Sequence, residues 1–211
     1  MKTFAAFVAV WAAATALFGV FGCQSGGKKG LGPEHRLTDV RPDASPGEMA
    51  TLSVVGSANP VDVVDTRTGD TLVLSLRVSD VEIEREVYSF AGGAFSLVEA
   101  MGMVYEPPIP LLTAVSRIGD ERKWQGKLRW ASERTASSTA TIALSEDRLD
   151  NSDQAAILVT VELGVESGAK SAAKREMKFW FVPGKGLLQR DFASGTKRTV
   201  RVEPPEEEPS G

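Results

Sequence analysis

The chain has 211 residues, enough for one domain with a hydrophobic core and short flanking segments. Its formal net charge of -4 argues against a nucleic-acid partner, which would require a basic surface to displace counterions from phosphates. A single Cys excludes an intrachain disulfide and a zinc site built from Cys ligands, so the fold must depend on its apolar core.

The N-terminus has the pattern of a signal peptide. Met1-Lys2 supplies one positive charge, and residues 3–22 follow without a charged side chain and with many large apolar ones. The only Cys, Cys23, comes directly after this stretch. Because a helix of about 20 apolar residues also spans a bilayer, an uncleaved membrane anchor is the alternative.

The residues around Cys23 resemble a lipobox, the site at which bacterial lipoprotein signal peptides are cleaved. Val20, Gly22 and Cys23 match its pattern, whereas Phe21 is bulkier than the residue usual there. The resemblance implies a signal peptide of residues 1–22 and a mature chain anchored by palmitate-type acyl chains on Cys23, since two acyl chains hold a protein stably on a membrane. Because Gln24 replaces the Asp of inner-membrane retention, it also implies the outer membrane, facing the periplasm.

The segments that flank the body lack apolar residues. Residues 23–47 are rich in Gly, Ser, Pro and charged side chains, and residues 204–211 are acidic and rich in Pro. Neither segment can bury enough apolar surface to offset the entropy lost on ordering. The sequence therefore predicts a flexible tether at 23–47, a β-rich domain at 48–203 and a disordered tail at 204–211.

The body alternates apolar and polar residues with the period of two that is typical of half-buried strands. The alternation is clearest at Leu72–Val78 and Val81–Val87, and in the latter it predicts a solvated face of Glu82, Glu84 and Glu86. Only Phe95–Met103 has the composition of a short helix, so the fold class is mainly antiparallel β. Further strands are predicted at Lys123–Ala131, Thr135–Leu144, Ala155–Leu163, Lys174–Val182, Leu187–Phe192 and Thr196–Val202.

Two segments of the C-terminal half resemble a feature of bacterial envelope lipoproteins. An aromatic strand, residues 178–182, runs into the turn Pro183-Gly184, and the Pro-rich residues 108–112 precede Gly119-Asp120 and Trp124-Gln125-Gly126. Such proteins look like relatives of the half-barrel lipoprotein carriers and lipid-binding lipoproteins (LolA-like), in which a curved antiparallel sheet wraps an apolar cavity. The resemblance implies a curved sheet or half-barrel with at most one or two short helices, and a lipid or acyl chain as ligand.

Aromatic side chains are the candidate contacts to such a ligand. Phe179 and Phe181 share one face of their strand with Met177 and are expected to be core, while Trp180 points to the other face. A second buried core position is the simpler interpretation of Trp180. The predicted ligand-binding residues are Trp180, Tyr105, Trp124 and Trp130.

Residues able to support catalysis are few. The only His, His35, lies in the predicted tether, which argues against His-dependent nucleophiles and His-built metal centres, and no cofactor motif is present. Glu82, Glu84 and Glu86 have the side chains of paired catalytic carboxylates, but solvated strand residues are the simpler interpretation. We therefore expect no enzymatic activity, no cofactor and no metal.

The leading functional hypothesis is a membrane-tethered envelope lipoprotein whose β domain binds an apolar ligand or another envelope component. The first alternative is a structural or assembly lipoprotein that docks an envelope protein through its sheet edge and Pro107–Pro110. A remote alternative is a carboxylate-dependent enzyme acting on glycans.

Overall fold

The computed structural model describes residues 27–40, 50–54, 61–149, 153–167, 171–193 and 199–202. The predicted signal peptide with Cys23, residues 41–47 of the predicted tether and the predicted tail lie outside these ranges. In the described part of the chain, none of the helices combines the length and apolar character needed to cross a membrane.

Strands make up most of the described chain, as the alternation predicts. The helical elements are the single turn α1 (Leu37–Val40) and a 3-10 turn at Ala91–Gly93. The strands are β1 (Glu34–Arg36), β2 (Ala50–Val54), β3 (Val61–Thr68), β4 (Thr71–Val78), β5 (Val81–Ser89), β6 (Ala94–Ala100), β7 (Met103–Thr113), β8 (Val115–Arg117), β9 (Glu121–Trp130), β10 (Thr135–Arg148), β11 (Ala155–Ser167), β12 (Ser171–Val182), β13 (Gly186–Ala193) and β14 (Thr199–Val202).

Ten strands form one curled antiparallel sheet. Its order is β3-β4-β5-β6-β7-β9-β10-β11-β12-β13, so nearly all neighbours in space are neighbours in sequence. The short strands β14 and β2 pair with each other and with β13 and β3, and they bridge the two outer strands into a complete circuit. The predicted fold class, mainly β with a curved antiparallel sheet or half-barrel and at most one or two short helices, is confirmed.

The segment Phe95–Met103 is a strand and hairpin, so the prediction of a helix there was wrong. Phe95 and Leu97 are fully buried in β6, and Met101 and Gly102 turn the chain with positive φ angles of 53° and 68°. Register shifts after Phe95 and between Leu97 and Glu99 interrupt the alternation that would have indicated a strand. Helix-forming composition was therefore overridden by burial against the core.

The face of β5 that carries Glu84 and Glu86 packs toward the core, although the sequence predicts that it is solvated. Glu86 is fully buried, and Glu84 and Glu86 lie opposite the core residues Leu76 and Leu74 of β4. Val81 and Ile83 are instead 64% and 52% exposed. Alternation alone assigned the apolar set to the core, whereas the charge of Glu86 is offset by Arg190, a partner distant in sequence.

One continuous apolar core fills the inside of the curled sheet, with buried side chains from all ten strands. Phe95 on β6 stacks on Tyr88 of β5 at 5.0 Å between ring centroids. It also meets Phe181 of β12 edge-on at 5.7 Å. Side chains from opposite sides of the circuit therefore touch at its centre.

Residues 27–40, which we call the strap, lie against the sheet although the sequence predicts a flexible tether there. Strand β1 pairs with β8, and the Gly30 N–H donates to Asp120 Oδ1 at 2.8 Å. At the other end of the strap, Val40 is 1% exposed within the main core, and the carbonyl of Asp39 accepts a hydrogen bond from the N–H of Gly184. A few backbone contacts and one core residue thus order a segment of polar composition.

Candidate functional site

A groove with a volume of about 820 Å³ crosses the outer face of the sheet over β9 to β12. Its polar lining residues alternate along their strands with Trp124, Ala140 and Leu163, which belong to the core inside. They form two rows of cross-strand neighbours, and we call the site the outer groove. The first row is Lys123, Thr141, Glu162 and Glu176, and the second is Gln125, Thr139, Gly164 and Lys174.

The outer groove carries side chains of both charges. Lys123 Nζ donates to Thr141 Oγ1 at 2.8 Å and lies 3.3 Å from Glu121 Oε1. Glu162 and Glu176 face each other on neighbouring strands, an arrangement that like charges disfavour. The ammonium of Lys178 lies 2.9 Å from Glu176 Oε1, and this hydrogen bond raises the pKa of Lys178. The carboxylates are thereby partly balanced, and the groove keeps donors and acceptors at its surface.

The floor of the outer groove is open at Gly164. A Cβ at this position would meet Thr139 Oγ1 at 3.5 Å and its carbonyl oxygen at 3.7 Å, which are ordinary contacts. A side chain would therefore be accepted at position 164 without displacing backbone. The missing side chain is one reason why the sheet surface is hollow here.

Trp180 lies on the outer face of β12 in a small second apolar cluster. Its neighbours there are Leu149, Ala156, Val182 and Leu188. Trp180 is 7% exposed, and its indole N–H donates to Asp147 Oδ2 at 2.9 Å. These contacts cover the side chain, so the structure places Trp180 in a packed cluster and not in the outer groove.

The other three predicted ligand-binding residues belong to the inner core. Tyr105 is 1% exposed and its hydroxyl lies 3.7 Å from Met177 Sδ, while Trp124 donates its indole N–H to the carbonyl of Pro107 at 3.0 Å. Burial raises the pKa of Tyr105. Trp130 packs against the same core. The structure therefore brings Tyr105, Trp124 and Trp130 to one face of the sheet and Trp180 to the other.

A buried ionic cluster inside the sheet was missed by the sequence analysis. Arg190 of β13 donates from Nε to Glu86 Oε1 at 2.6 Å, and the Tyr88 hydroxyl donates to Glu86 Oε2 at 2.7 Å. Burial disfavours the charged form of Arg190, but the neighbouring carboxylate outweighs it and raises the pKa of Arg190. Burial and the same carboxylate raise the pKa of Tyr88 well above its ordinary value. No short motif links residues so far apart, so no sequence signal could have revealed the cluster.

The three carboxylates weighed as a catalytic set do not all lie on one face of β5. A shift in register between Leu76 and Arg77 places Glu82 beside Ser75, whose hydroxyl donates to the Glu82 carboxylate. Both carboxylate oxygens of Glu86 accept hydrogen bonds within the buried cluster. The expectation that all three are solvated was therefore wrong for Glu86.

His35 is held in β1 opposite Ser116, although the sequence placed it in a free segment. It lines a hollow of about 500 Å³ together with Asp147, Arg148 and Pro183. Within the described ranges, no three His, Cys, Asp or Glu side chains are grouped so as to hold a metal ion.

Comparisons with known proteins give little beyond this geometry. No family model matches the chain, and no curated protein has significant sequence similarity to it. A solved structure from Bacteroides fragilis NCTC 9343, provisionally assigned as an exported protein with a YmcC-like fold, is similar over 75% of this chain and 94% of its own. The identity is 12% and the TM-score 0.36, a likeness too distant to support an argument about fold or function.

Proposed function

We propose that the protein is a non-enzymatic lipoprotein of the bacterial envelope, tethered to the outer membrane through Cys23, that binds a polar envelope component in the outer groove. The proposed binding rests on the outer groove, which is a charged hollow on the outside of the sheet. The inside of the same sheet is filled by core residues. Its volume lies in the range of about 300–1,000 Å³ usual for ligand sites.

The lining of the outer groove defines the class of ligand. Lys123 and Lys174 supply cations, Glu162 and Glu176 supply carboxylates, and Gln125 adds an amide. A ligand that satisfies this set carries both carboxylate and ammonium groups and several hydrogen-bonding amides. The peptide stems of cell-wall polymers have this chemistry, so we assign the groove to a zwitterionic peptide of the envelope.

The other functional hypotheses have less support. A lipid or acyl chain inside the sheet would compete with one core cluster to which all ten strands contribute. Docking through a sheet edge is disfavoured because each of the ten strands is paired on both sides. Pro107 and Pro108 are exposed on β7, but Pro107 already offers its carbonyl to Trp124.

Calorimetric titration of the acylated protein in detergent with soluble disaccharide-peptide fragments of peptidoglycan tests the binding proposal. Gly164→Phe fills the floor of the groove and should weaken binding by about tenfold or more, a loss of about 1.4 kcal/mol. Lys174→Gln should also weaken binding. The matched control Lys127→Gln removes an exposed charge from β9 outside the groove and should leave binding unchanged. Equal affinity of all variants, or no binding by the wild type, would overturn the assignment.

Metabolic labelling with a fatty-acid probe tests the tether. Cys23→Ser should abolish labelling and leave an unprocessed precursor, because the acylated sulfur is lost. Labelling that survives the substitution would exclude lipidation at Cys23.

A further inference from the structure

The strap is seated closely on the corner between β8 and β9. The carbonyl of Lys28 accepts a hydrogen bond from the N–H of Glu121 at 2.9 Å, and Gly32 donates to the carbonyl of Ile118 at 3.1 Å. A Cβ at Gly30 would lie 2.2 Å from the oxygen of Ile118. The strap therefore fits this corner only with glycine at position 30.

The proposed lipid anchor cannot lie far from this corner. Only residues 24–26 separate Cys23 from Gly27, the first described residue of the strap. Four residues of fully extended chain span at most about 14 Å. If Cys23 carries acyl chains in a bilayer, the corner that receives Gly27 is held close to the lipid surface.

The same corner exposes an apolar side chain flanked by basic ones. Leu31 is 99% exposed, the most exposed of the four large exposed hydrophobic residues in the described part of the chain. Lys28 and Lys29, also exposed, precede it with only Gly30 in between. Val115 of β8, 47% exposed, lies opposite Arg36 on the same two-stranded ribbon.

The acidic side chains of the corner form hydrogen bonds or ion pairs within the protein. Asp120 accepts backbone hydrogen bonds from Gly30 and Arg117 through its two carboxylate oxygens. Glu34 forms an ion pair with the guanidinium of Arg117, and Glu121 lies 3.3 Å from Lys123. Lys28 and Lys29 therefore give the corner a basic surface beside Leu31, and basic side chains next to an apolar one are the combination that binds an anionic bilayer.

We propose that the strap and β8 form the membrane-facing surface of the protein, with Leu31 inserted into the lipid interface and Lys28 and Lys29 bound to anionic headgroups. The inference rests on the proposed tether at Cys23. It also sets the orientation of the outer groove, because Lys123 follows Glu121 by two residues and the groove therefore begins beside the bilayer. The β4–β5 hairpin points away from the membrane, since β4 runs about 25 Å from the end of the sheet that carries α1.

Spin labels on the acylated full chain test this orientation. The free thiol of Leu31→Cys carries the label, and Ile83→Cys, at an exposed apolar position of the β4–β5 hairpin, is the matched control. The protein is bound to vesicles of phosphatidylethanolamine and phosphatidylglycerol, and accessibility to oxygen and to a water-soluble nickel complex is measured by power saturation. The ratio of oxygen to nickel accessibility should be several-fold higher at position 31 than at position 83.

The outcomes separate this inference from the tether itself. Flotation of the protein with the vesicles reports the lipid anchor, and failure to float would overturn the tether and this inference together. If the protein floats but the label at position 31 is as accessible to nickel as the label at position 83, the tether is retained and the orientation is overturned. Protection of position 31 from both reagents would show that a protein surface covers Leu31, and would also overturn it.

Discussion

Arg190 and Glu86 are 104 residues apart in sequence, yet the Nε of Arg190 lies 2.6 Å from Oε1 of Glu86 inside the sheet. Both side chains are fully buried, and they belong to β13 and β5. The pair therefore joins two sides of the circuit through its interior. Because Tyr88 donates to the second oxygen of Glu86, the carboxylate has a partner at each oxygen and its burial is tolerated.

Removing one partner of this pair should cost more than removing both. Arg190→Met leaves Glu86 uncompensated in the core and should lower the free energy of unfolding by about 3–5 kcal/mol. The double variant Arg190→Met with Glu86→Leu should recover most of that loss, because no buried charge remains. Urea denaturation of the single and double variants measures the difference. Arg129→Met, which breaks an exposed bridge to Glu106, is the control and should change stability little. A double variant as unstable as the single one would contradict the prediction.

The two tyrosines should resist ionisation until the protein unfolds. Tyr88 and Tyr105 are the only tyrosines of the chain, and burial raises the pKa of both. A phenol whose folded pKa is raised contributes stability that is present below its unfolded pKa of about 10 and is lost as the pH rises above it. Stability should therefore fall above about pH 10, and tyrosinate absorbance should appear only together with unfolding seen by circular dichroism. Tyrosinate absorbance near pH 10 in a folded protein would refute the burial of one ring.

Two glycine substitutions should separate the strap from the open groove. Gly30→Ala places a methyl group against the carbonyl of Ile118 and should lower the free energy of unfolding by about 1–3 kcal/mol, the usual cost of overpacking. Gly164→Ala makes only ordinary contacts and should leave stability unchanged or slightly raised. Thermal unfolding of both variants measures the two changes in stability. A free tether at residues 27–40 would instead make Gly30→Ala silent.

The aromatic residues of β12 should differ in their contribution to stability. Phe179 and Phe181 are fully buried in the main core, so truncation of either to Ala should cost about 3–5 kcal/mol. Trp180→Phe keeps the apolar bulk of the outer cluster and loses the bond to Asp147, at a cost of about 1 kcal/mol. Chemical denaturation of the three variants tests this order. A Trp180→Phe loss as large as those of the phenylalanine truncations would show that the indole is as tightly packed as the core.

The sequence by itself determined eight strands of the β-rich body, whereas β3 and β7 carried no strand prediction. Each of the eight corresponds to a strand of the structure, the last one over the described residues Thr199–Val202, because alternation with a period of two is a local property. The placement of Phe179 and Phe181 in the main core followed from the same rule. Where bulges interrupt the period, as in β6, the local pattern was lost and composition indicated the wrong element.

Only the tertiary structure decided which face of β5 is buried, where the strap lies and where the outer groove forms. Each depends on partners distant in the chain: Arg190 for Glu86, the β8–β9 corner for Gly30, and four neighbouring strands for the outer groove. From sequence alone, a charged residue is predicted to be solvated, because its counter-charge is not known. A polar segment is likewise predicted to be flexible, because the surface that it packs against is not known. Such long-range compensation carries no local signature, because the free energy that orders these residues is supplied by contacts that exist only in the folded chain.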